Sequence, residues 1–436
     1  MKVSTSRFGF ASLKHFAPLR KSSNVNIRSF SSVREVLPSF SPMRDHVFIR
    51  GESLVPVTRE PGSLDQLVEM SGKVINDLIS QSGVAVEDVS MLIVGNMLSP
   101  ILQRQSQLAS YIASKSNLVH GNRGGGTGID TLTLDAACGS GGQALRAGLM
   151  AILSGFHENV IVLGVESMID QDKNLVTRGL AQASDWKEEG GKGATFVSLN
   201  DSMMTAYIET YQNSIDPDDF YYFSKNAHKN ALTASHSVMK KDIDINDYKS
   251  SMLLGKNVKL YDACPTCNGC AGVLLSRKGV IGQDPIVSGS DSRIDNIHLK
   301  SRENLLAMEA LKTSVDSALA QAEITRDQVS IYEAHDAYSI MAALSLEVCG
   351  FVAPGGALKF AKNGNIGLGS QLPISTFGGL KARGHPVGAS GVYQIVEAVT
   401  QLKGSAGENQ VKNVKNVLCS SFGGAATTVA SNVLTI

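Results

Sequence analysis

The sequence predicts an α/β protein built from two similar halves, each carrying a mainly parallel sheet with helices on its faces. Three observations predict it. Continuous apolar runs of strand length, such as Val89 to Gly95 and Asn159 to Val165, alternate with helix-length segments whose apolar residues recur every three or four positions. Strands covered on both faces by helices give that pattern. A strand, a glycine-rich turn, a helix and another strand follow one another in both halves. Between the halves, residues 170 to 260 are polar and rich in isolated helices, which reads as an insertion laid over the sheet.

The elements follow in order. Val47 to Arg50 is a first strand. Ser63 to Ser80 places Leu64, Leu67, Val68, Val74, Ile75 and Leu78 on one helical face. Val89 to Gly95 is a buried strand, Gln107 to Ser116 a helix, and Gly121 to Gly128 a glycine-rich loop. Thr131 to Leu134 alternates as a strand and leads through Ala136-Ala137-Cys138-Gly139-Ser140-Gly141-Gly142 into a helix ending near Gly155. Asn159 to Val165 is the next strand, ending at Glu166-Ser167-Met168. The insertion contains helices at Ser202 to Gln212 and Pro217 to Ala234. The pattern resumes with a strand near Pro285 to Ser288, a helix over Ser301 to Gln321, and a strand over Val329 to Glu333. Helices at Ala342 to Val348 and Gly391 to Leu402 follow, then strands at Val417 to Ser421 and Ala426 to Leu434. The halves therefore span 45 to 284 and 285 to 436.

Composition narrows the function classes. The 436 residues are 43% hydrophobic and 18% charged, a globular balance. No apolar run approaches the roughly 18–20 residues of a membrane span. Residues 1 to 34 carry seven basic residues, many serines and no acid, with Phe8, Phe10, Leu13, Phe16 and Leu19 able to share a helical face. That is the composition of a mitochondrial transit peptide, so the expected location is the mitochondrial matrix. Without this leader, 33 basic residues face 40 acidic ones, a mildly acidic balance that disfavours nucleic acid as a partner.

Four constellations carry chemistry. Cys138 sits where a strand becomes a helix, a place whose free N–H groups and dipole favour a thiolate. His385 lies in the glycine-rich loop GGLKARGHPVGASG, which holds an imidazole where backbone approaches a ligand. His335 directly follows an apolar strand, at the carboxyl end where open sheets bind ligands. The turn Ser420-Ser421-Phe422-Gly423-Gly424-Ala425 can offer N–H groups as an oxyanion hole. A fifth cluster, Cys264, Cys267 and Cys270, has the C-x2-C-x2-C spacing of metal ligation. It lacks an evident fourth ligand and leads into an apolar strand, so packing is the expected role and no metal is expected.

Together these segments resemble the thiolase superfamily. DAACGSGGQA resembles its nucleophile motif, Glu166-Ser167-Met168 its ESM, GGLKARGHPVGASG its histidine loop, and Met203 to Ala234 its loop domain. His335-Asp336-Ala337 stands where most thiolases carry Asn-Glu. That form resembles the sterol-carrier-protein thiolases and, more closely, the archaeal-type acetyl-CoA acetyltransferases. DACPTCNG resembles their CPxxDG segment, with Asn268 in place of Asp. The resemblance implies a five-layer α-β-α-β-α architecture and an acyltransferase acting on acyl-CoA and CoA without a further cofactor. It also implies a homodimer or dimer of dimers. Cys138 would carry the acyl group and His385 would accept its proton. His335 would stabilise an enolate, the N–H groups of Cys138 and Gly423 would form an oxyanion hole, and pantetheine would enter beside Cys264 and Pro265.

The sequence departs from the pattern at one point. The second, acid/base cysteine of these families falls at the positions of Ser421 or Ala337, and neither carries a thiol. Cys419 and His335, assisted by Asp336 or water, are the candidate replacements, with Ser421 at most a relay. His335 is favoured, because Cys419 lies in an apolar run. A decarboxylating, ketoacyl-synthase-like condensation and an acyl-CoA-binding homologue without turnover are the alternative readings.

Overall fold

The computed structural model describes residues 46–120, 128–169 and 172–436. The basic leader and nearly all of the glycine loop at 121 to 128 lie outside the described residues. The first half contributes strands β1 (Phe48–Leu54), β2 (Met91–Gly95), β3 (Asp130–Leu134), β4 (Asn159–Glu166) and β5 (Gly269–Ser276). The second contributes β6 (Ile286–Ile294), β7 (Ile331–Glu333), β8 (Asn416–Gly423) and β9 (Thr428–Thr435). Their order is β3-β2-β4-β5-β1-β6-β9-β8-β7, and the halves meet where Phe48 pairs with Ile286. The second half repeats the first: β6, β9, β8 and β7 take the places of β1, β5, β4 and β2. The bridge of Ile374 to Tyr332 marks the place of β3.

Strand direction differs from the expectation of mainly parallel halves. β2 runs parallel to β3 and β4, and β7 to β8. The other pairs, β1–β5, β4–β5, β1–β6, β6–β9 and β8–β9, are antiparallel. The physical reason is plainest at β8 and β9. Only 424 to 427 join them, and so short a turn can only link antiparallel neighbours.

Three apolar clusters separate five layers. Outside the first half, Leu67, Val74 and Leu78 of the helix Leu64–Ser82 pack on Leu92, Val94, Ile161 and Leu163. In the middle, the helices Ser140–Leu153 and Ser390–Leu402 pack between the two half-sheets. They meet Ile93, Val160, Val162 and Val273 on one side and Ile331, Val417, Cys419 and Leu434 on the other. Outside the second half, Leu311 and Val315 of the helix Glu309–Gln321 cover Leu418, Val429 and Val433. Neighbouring residues of β4 and β8 thus enter different cores, and both faces are apolar. This is why those strands read as unbroken apolar runs.

The two central helices approach closely because glycines line their contact. A Cβ on Gly141 would stand 2.7 Å from the backbone nitrogen of Val392, and one on Gly142 would stand 2.7 Å from the Cβ of Ser421. The run of small residues after Cys138 is therefore a packing requirement as well as a means of access. Two helix boundaries differ from expectation. The helix expected over Ser301 to Gln321 begins only at Glu309, after Met308 in the left-handed region at φ 41°. The helix expected from Ser202 begins at Phe196, where Thr195 and Ser198 form a capping box.

The insertion contributes Lys173–Ala181, Phe196–Tyr211, Tyr221–Ala231 and Ile245–Ser250. Its Met203, Tyr207, Phe220 and Tyr248 share the outer core of the second half. The Tyr207 hydroxyl donates to Glu347 at 2.5 Å. The later helices of the insertion are thus anchored over the second half, while Val176 of its first helix packs on Met97, Leu98 and Leu102 of the first half.

Candidate active site

The turn carrying Cys138 is built by its neighbours. The Ala137 N–H donates to Asp135 Oδ1 at 2.8 Å. Ser140 Oγ accepts from the Ala136 N–H at 2.9 Å and donates to the Ala137 carbonyl at 2.6 Å. These bonds hold Ala137 at φ 52°, a conformation that costs a non-glycine residue on the order of 1–3 kcal/mol. The result is a sharp strand-to-helix bend with Cys138 at its tip. The second half closes against this bend at Gly423. A Cβ on Gly139 would stand 2.9 Å from the Gly423 nitrogen, and a Cβ on Gly423 would collide with the Ala136 carbonyl.

Cys138 faces a cavity of about 330 Å³ whose lining includes His335, His385, Cys264, Tyr338 and Met341. Thr177, Phe196 and Asn200 bring the insertion to the same cavity, and Pro265 lines it beside Cys264. The sequence reading singled out none of these insertion residues, nor Tyr338 or Met341. No motif marks them: Thr177 arrives on the helix Lys173–Ala181, which packs on Leu98 and Leu102 of the first half, while Phe196 packs on the outer core of the second half that holds Tyr338 and Met341.

The two histidine rings lie perpendicular, 5.2 Å apart between centroids, and hydrogen bonding gives them opposite roles. His335 Nδ1 accepts the Phe422 backbone N–H at 3.2 Å. Its proton is therefore assigned to Nε2, and the ring stacks on Phe422 at 4.9 Å. His385 Nδ1 lies 2.7 Å from Ser390 Oγ, and that hydroxyl donates to the Pro386 carbonyl at 3.2 Å. Ser390 has one hydrogen, so Nδ1 of His385 is the donor in the shorter contact and its Nε2 keeps a lone pair. His385 can take a proton; His335 can only give a hydrogen bond.

This corrects the expectation that His335 replaces the second cysteine as a base. Its accepting nitrogen is occupied by the backbone, and burial, with Arg383 adding to it, pushes the ring down to about 3. Asp336 does not assist it. Its carboxylate accepts from Ser375 Oγ at 2.8 Å and the Leu380 N–H at 2.6 Å, and so fixes the loop ahead of His385.

The thiolate expectation for Cys138 is also corrected. Burial pushes its thiol well above the ordinary value, and the nearby Cys264 and the Glu166 carboxylate push it further. Burial, then His335 and Arg383, push His385 down, so burial disfavours the charged form of both the thiol and the imidazole. Glu166 is fully buried and ties the site together. It accepts from the N–H groups of Met97 at 3.0 Å, Leu98 at 2.9 Å and Gly388 at 3.0 Å, and from Asn96 Nδ2 at 2.8 Å. Burial raises its carboxyl to about 7, against the pull of those backbone N–H groups. Asn268 fastens the turn after Glu166. Its Oδ1 accepts from Met168 and Ile169, while its amide donates to the Glu60 carbonyl at 2.8 Å, a donor role that a carboxylate lacks.

The remaining candidates occupy different surroundings. Cys419 belongs to the central core and its sulfur contacts the Gln394 carbonyl at 3.7 Å. Ser421 lies beneath the Cys138 turn, its hydroxyl 3.5 Å from the Cys138 carbonyl. Cys264, Cys267 and Cys270 diverge: Cys264 faces the cavity, Cys267 enters the central core and Cys270 the outer core of the first half. Among the described residues, no group of three or more His, Cys, Asp or Glu is placed to hold a metal.

Fold and site together define an α/β acyltransferase whose two topologically similar halves meet at a cavity lined by Cys138, His335 and His385. Residues 47–242 match the thiolase N-terminal domain, and residues 292–436 the thiolase C-terminal domain-like family. The chain belongs to the thiolase family. It is 31% identical over 359 residues to an acetyl-CoA acetyltransferase of Methanothermobacter thermautotrophicus, covering 81% of this chain and 91% of that protein. Among solved structures, the Ltp2-ChsH2(DUF35) aldolase aligns with a TM-score of 0.75 at 18% identity, over 89% of this chain and 97% of that one. The Acat5 thiolase from Ascaris suum in complex with coenzyme A aligns with a TM-score of 0.66 at 16% identity, over 89% and 99%. At these identities the structural likenesses establish the fold.

Proposed function

We propose that the protein catalyses reversible thiolysis of 3-oxoacyl-CoA and, in reverse, condensation of two acetyl-CoA, through an acyl group on Cys138. The observation that carries this reading is one cavity holding a thiol, an imidazole with a free lone pair and an imidazole with a free N–H. His385 takes the Cys138 proton as sulfur attacks the acyl carbon. Oxygen charge developing at the attacked carbonyl meets the N–H groups of Cys138 and Gly423 at the bend. Charge developing on the second, thioester oxygen meets His335 Nε2–H. The thioester arm of CoA enters between the insertion and the Cys264-Pro265 segment. No prosthetic group is needed for these steps.

An assay of acetoacetyl-CoA thiolysis beside malonyl-CoA decarboxylation tests the reading. CoA-dependent loss of acetoacetyl-CoA without decarboxylation is expected. Decarboxylation without thiolysis would transfer the same residues to a ketoacyl-synthase-like reaction, and release of CoA without turnover would leave an acyl-CoA-binding homologue.

We infer further that the protein works in the mitochondrial matrix as a homodimer or dimer of dimers. The basic, acid-free leader supports the location. No helix among the described residues is long and apolar enough to cross a membrane. N-terminal sequencing of protein from its native cells should find a start near Phe30 or Arg34, and light scattering a mass of two or four chains. An intact Met1 on a cytosolic pool would overturn the location.

A further inference from the structure

We propose that Cys264 is the second acid/base of the reaction, moving the proton that Cys138, His385 and His335 leave unserved. The inference rests on the thiolase reading above. Cleavage of the 3-oxoacyl carbon–carbon bond leaves an acetyl-CoA enolate that needs a proton, and the CoA thiol must lose one before it attacks the acyl-enzyme. His385 already holds the Cys138 proton at that stage. His335 has no free lone pair. Cys419 lies in the central core and Ser421 beneath the nucleophile turn. Burial and the neighbouring thiols raise the Tyr338 hydroxyl beyond the Cys264 thiol, so it is the weaker acid toward an enolate.

Cys264 is the remaining titratable thiol in the cavity, and the structure fixes it there. Its N–H donates to the Ala337 carbonyl at 2.9 Å, and Ala263 bridges Tyr338, so the segment is stitched across the loop that carries His335. Cys264 is near enough to Cys138 and Tyr338 to act on both electrostatically. A cation that Cys264 shares with Asp336 and Asp262 also acts on it. Lys381 is buried, with its ammonium 3.1 Å from Ser339 Oγ and 3.4 Å from the Asp262 carbonyl. Burial raises the Cys264 thiol to about 12; Lys381 works against that and Asp336 reinforces it. A buried ammonium beside a cavity thiol favours the thiolate when it forms.

The step balances as follows. Cys138 sulfur bonds to the 3-oxo carbon while its proton passes to His385, and the bond between carbons 2 and 3 breaks. The electron pair stays on the acetyl-CoA enolate, which takes the proton of Cys264. CoA then gives its thiol proton to the Cys264 thiolate and attacks the acyl group. Cys138 leaves and recovers its proton from His385. Condensation runs the same transfers backwards, with the Cys264 thiolate removing an α-proton from acetyl-CoA.

Cys264→Ala and Cys264→Ser should each lower steady-state thiolysis by about 10²–10⁴-fold. They should equally slow exchange of the acetyl-CoA methyl hydrogens with D2O, while mass spectrometry still finds acetyl on Cys138. A thiol returned from the facing loop, Ala337→Cys in the Cys264→Ala background, should restore part of the exchange. Turnover and exchange within about threefold of wild type in both single variants would overturn the assignment, as would loss of the acyl-enzyme together with exchange. Absence of acetyl on Cys138 in the wild-type protein would instead overturn the thiolase reading itself.

Discussion

Cys138→Ala is expected to abolish both the acyl-enzyme and all turnover, the largest single effect in the molecule. Among the described residues, Cys138 combines the strand-to-helix bend, a cavity shared with the His385 lone pair and the close approach of Gly423. Acetyl-CoA incubated with the variant should leave no acetyl group on any cysteine; stable label at Cys264 would move the nucleophile. The wild-type thiol has a distinctive pH signature. Burial, Cys264 and Glu166 hold its pKa high, so the thiolate fraction rises about tenfold per pH unit between pH 7 and 9. Iodoacetamide alkylation of Cys138, followed by peptide mass spectrometry, should climb across that range. A plateau reached by pH 7 would show a preformed thiolate–imidazolium pair.

His385→Ala is expected to slow acylation by about 10²–10⁴-fold, because the buried Cys138 thiol then loses the imidazole lone pair that shares its cavity. The counterpart His335→Ala should leave an acyl-enzyme that forms readily but should depress carbon–carbon bond formation. Losing one oxyanion donor costs about 10²–10³-fold. The separation follows from the two assigned tautomers. Rapid-quench measurement of acetyl transfer, set beside steady-state condensation, distinguishes them. Equal losses of both half-reactions in both variants would contradict the division of labour. Both rings are pushed down by burial, so neither half-reaction should show an imidazole titration between pH 5 and 8.

Local chemistry made much of this molecule legible from its residues alone. The apolar runs of β2 and β4 declared strands buried on both faces. The spacing in Leu64–Ser82 declared a helix with one covered side, and the small residues around Cys138 and His385 declared two places where backbone and ligand come close. These signals are local, because periodicity, turn chemistry and residue size act over a few neighbours. Strand direction was less visible. The β8–β9 hairpin depends on four residues, 424 to 427, whose glycine also suits an oxyanion turn.

Cys138, His385 and His335 were singled out by the sequence and line one cavity, while the hydrogen bonds of the two rings were decided by the tertiary structure. The Phe422 N–H that occupies His335 comes from a segment 87 residues away. The carboxylate of Glu166 meets Gly388 across 222 residues. Cys264 shows the same division. In the sequence it is the first member of a metal-like triplet, but the fold sends its sulfur to the cavity, that of Cys267 to the central core and that of Cys270 to an outer core. A side chain's proton and charge answer to the groups folded around it. Burial and long-range hydrogen bonds, which no local pattern encodes, therefore decide which residue donates, which accepts and which only packs.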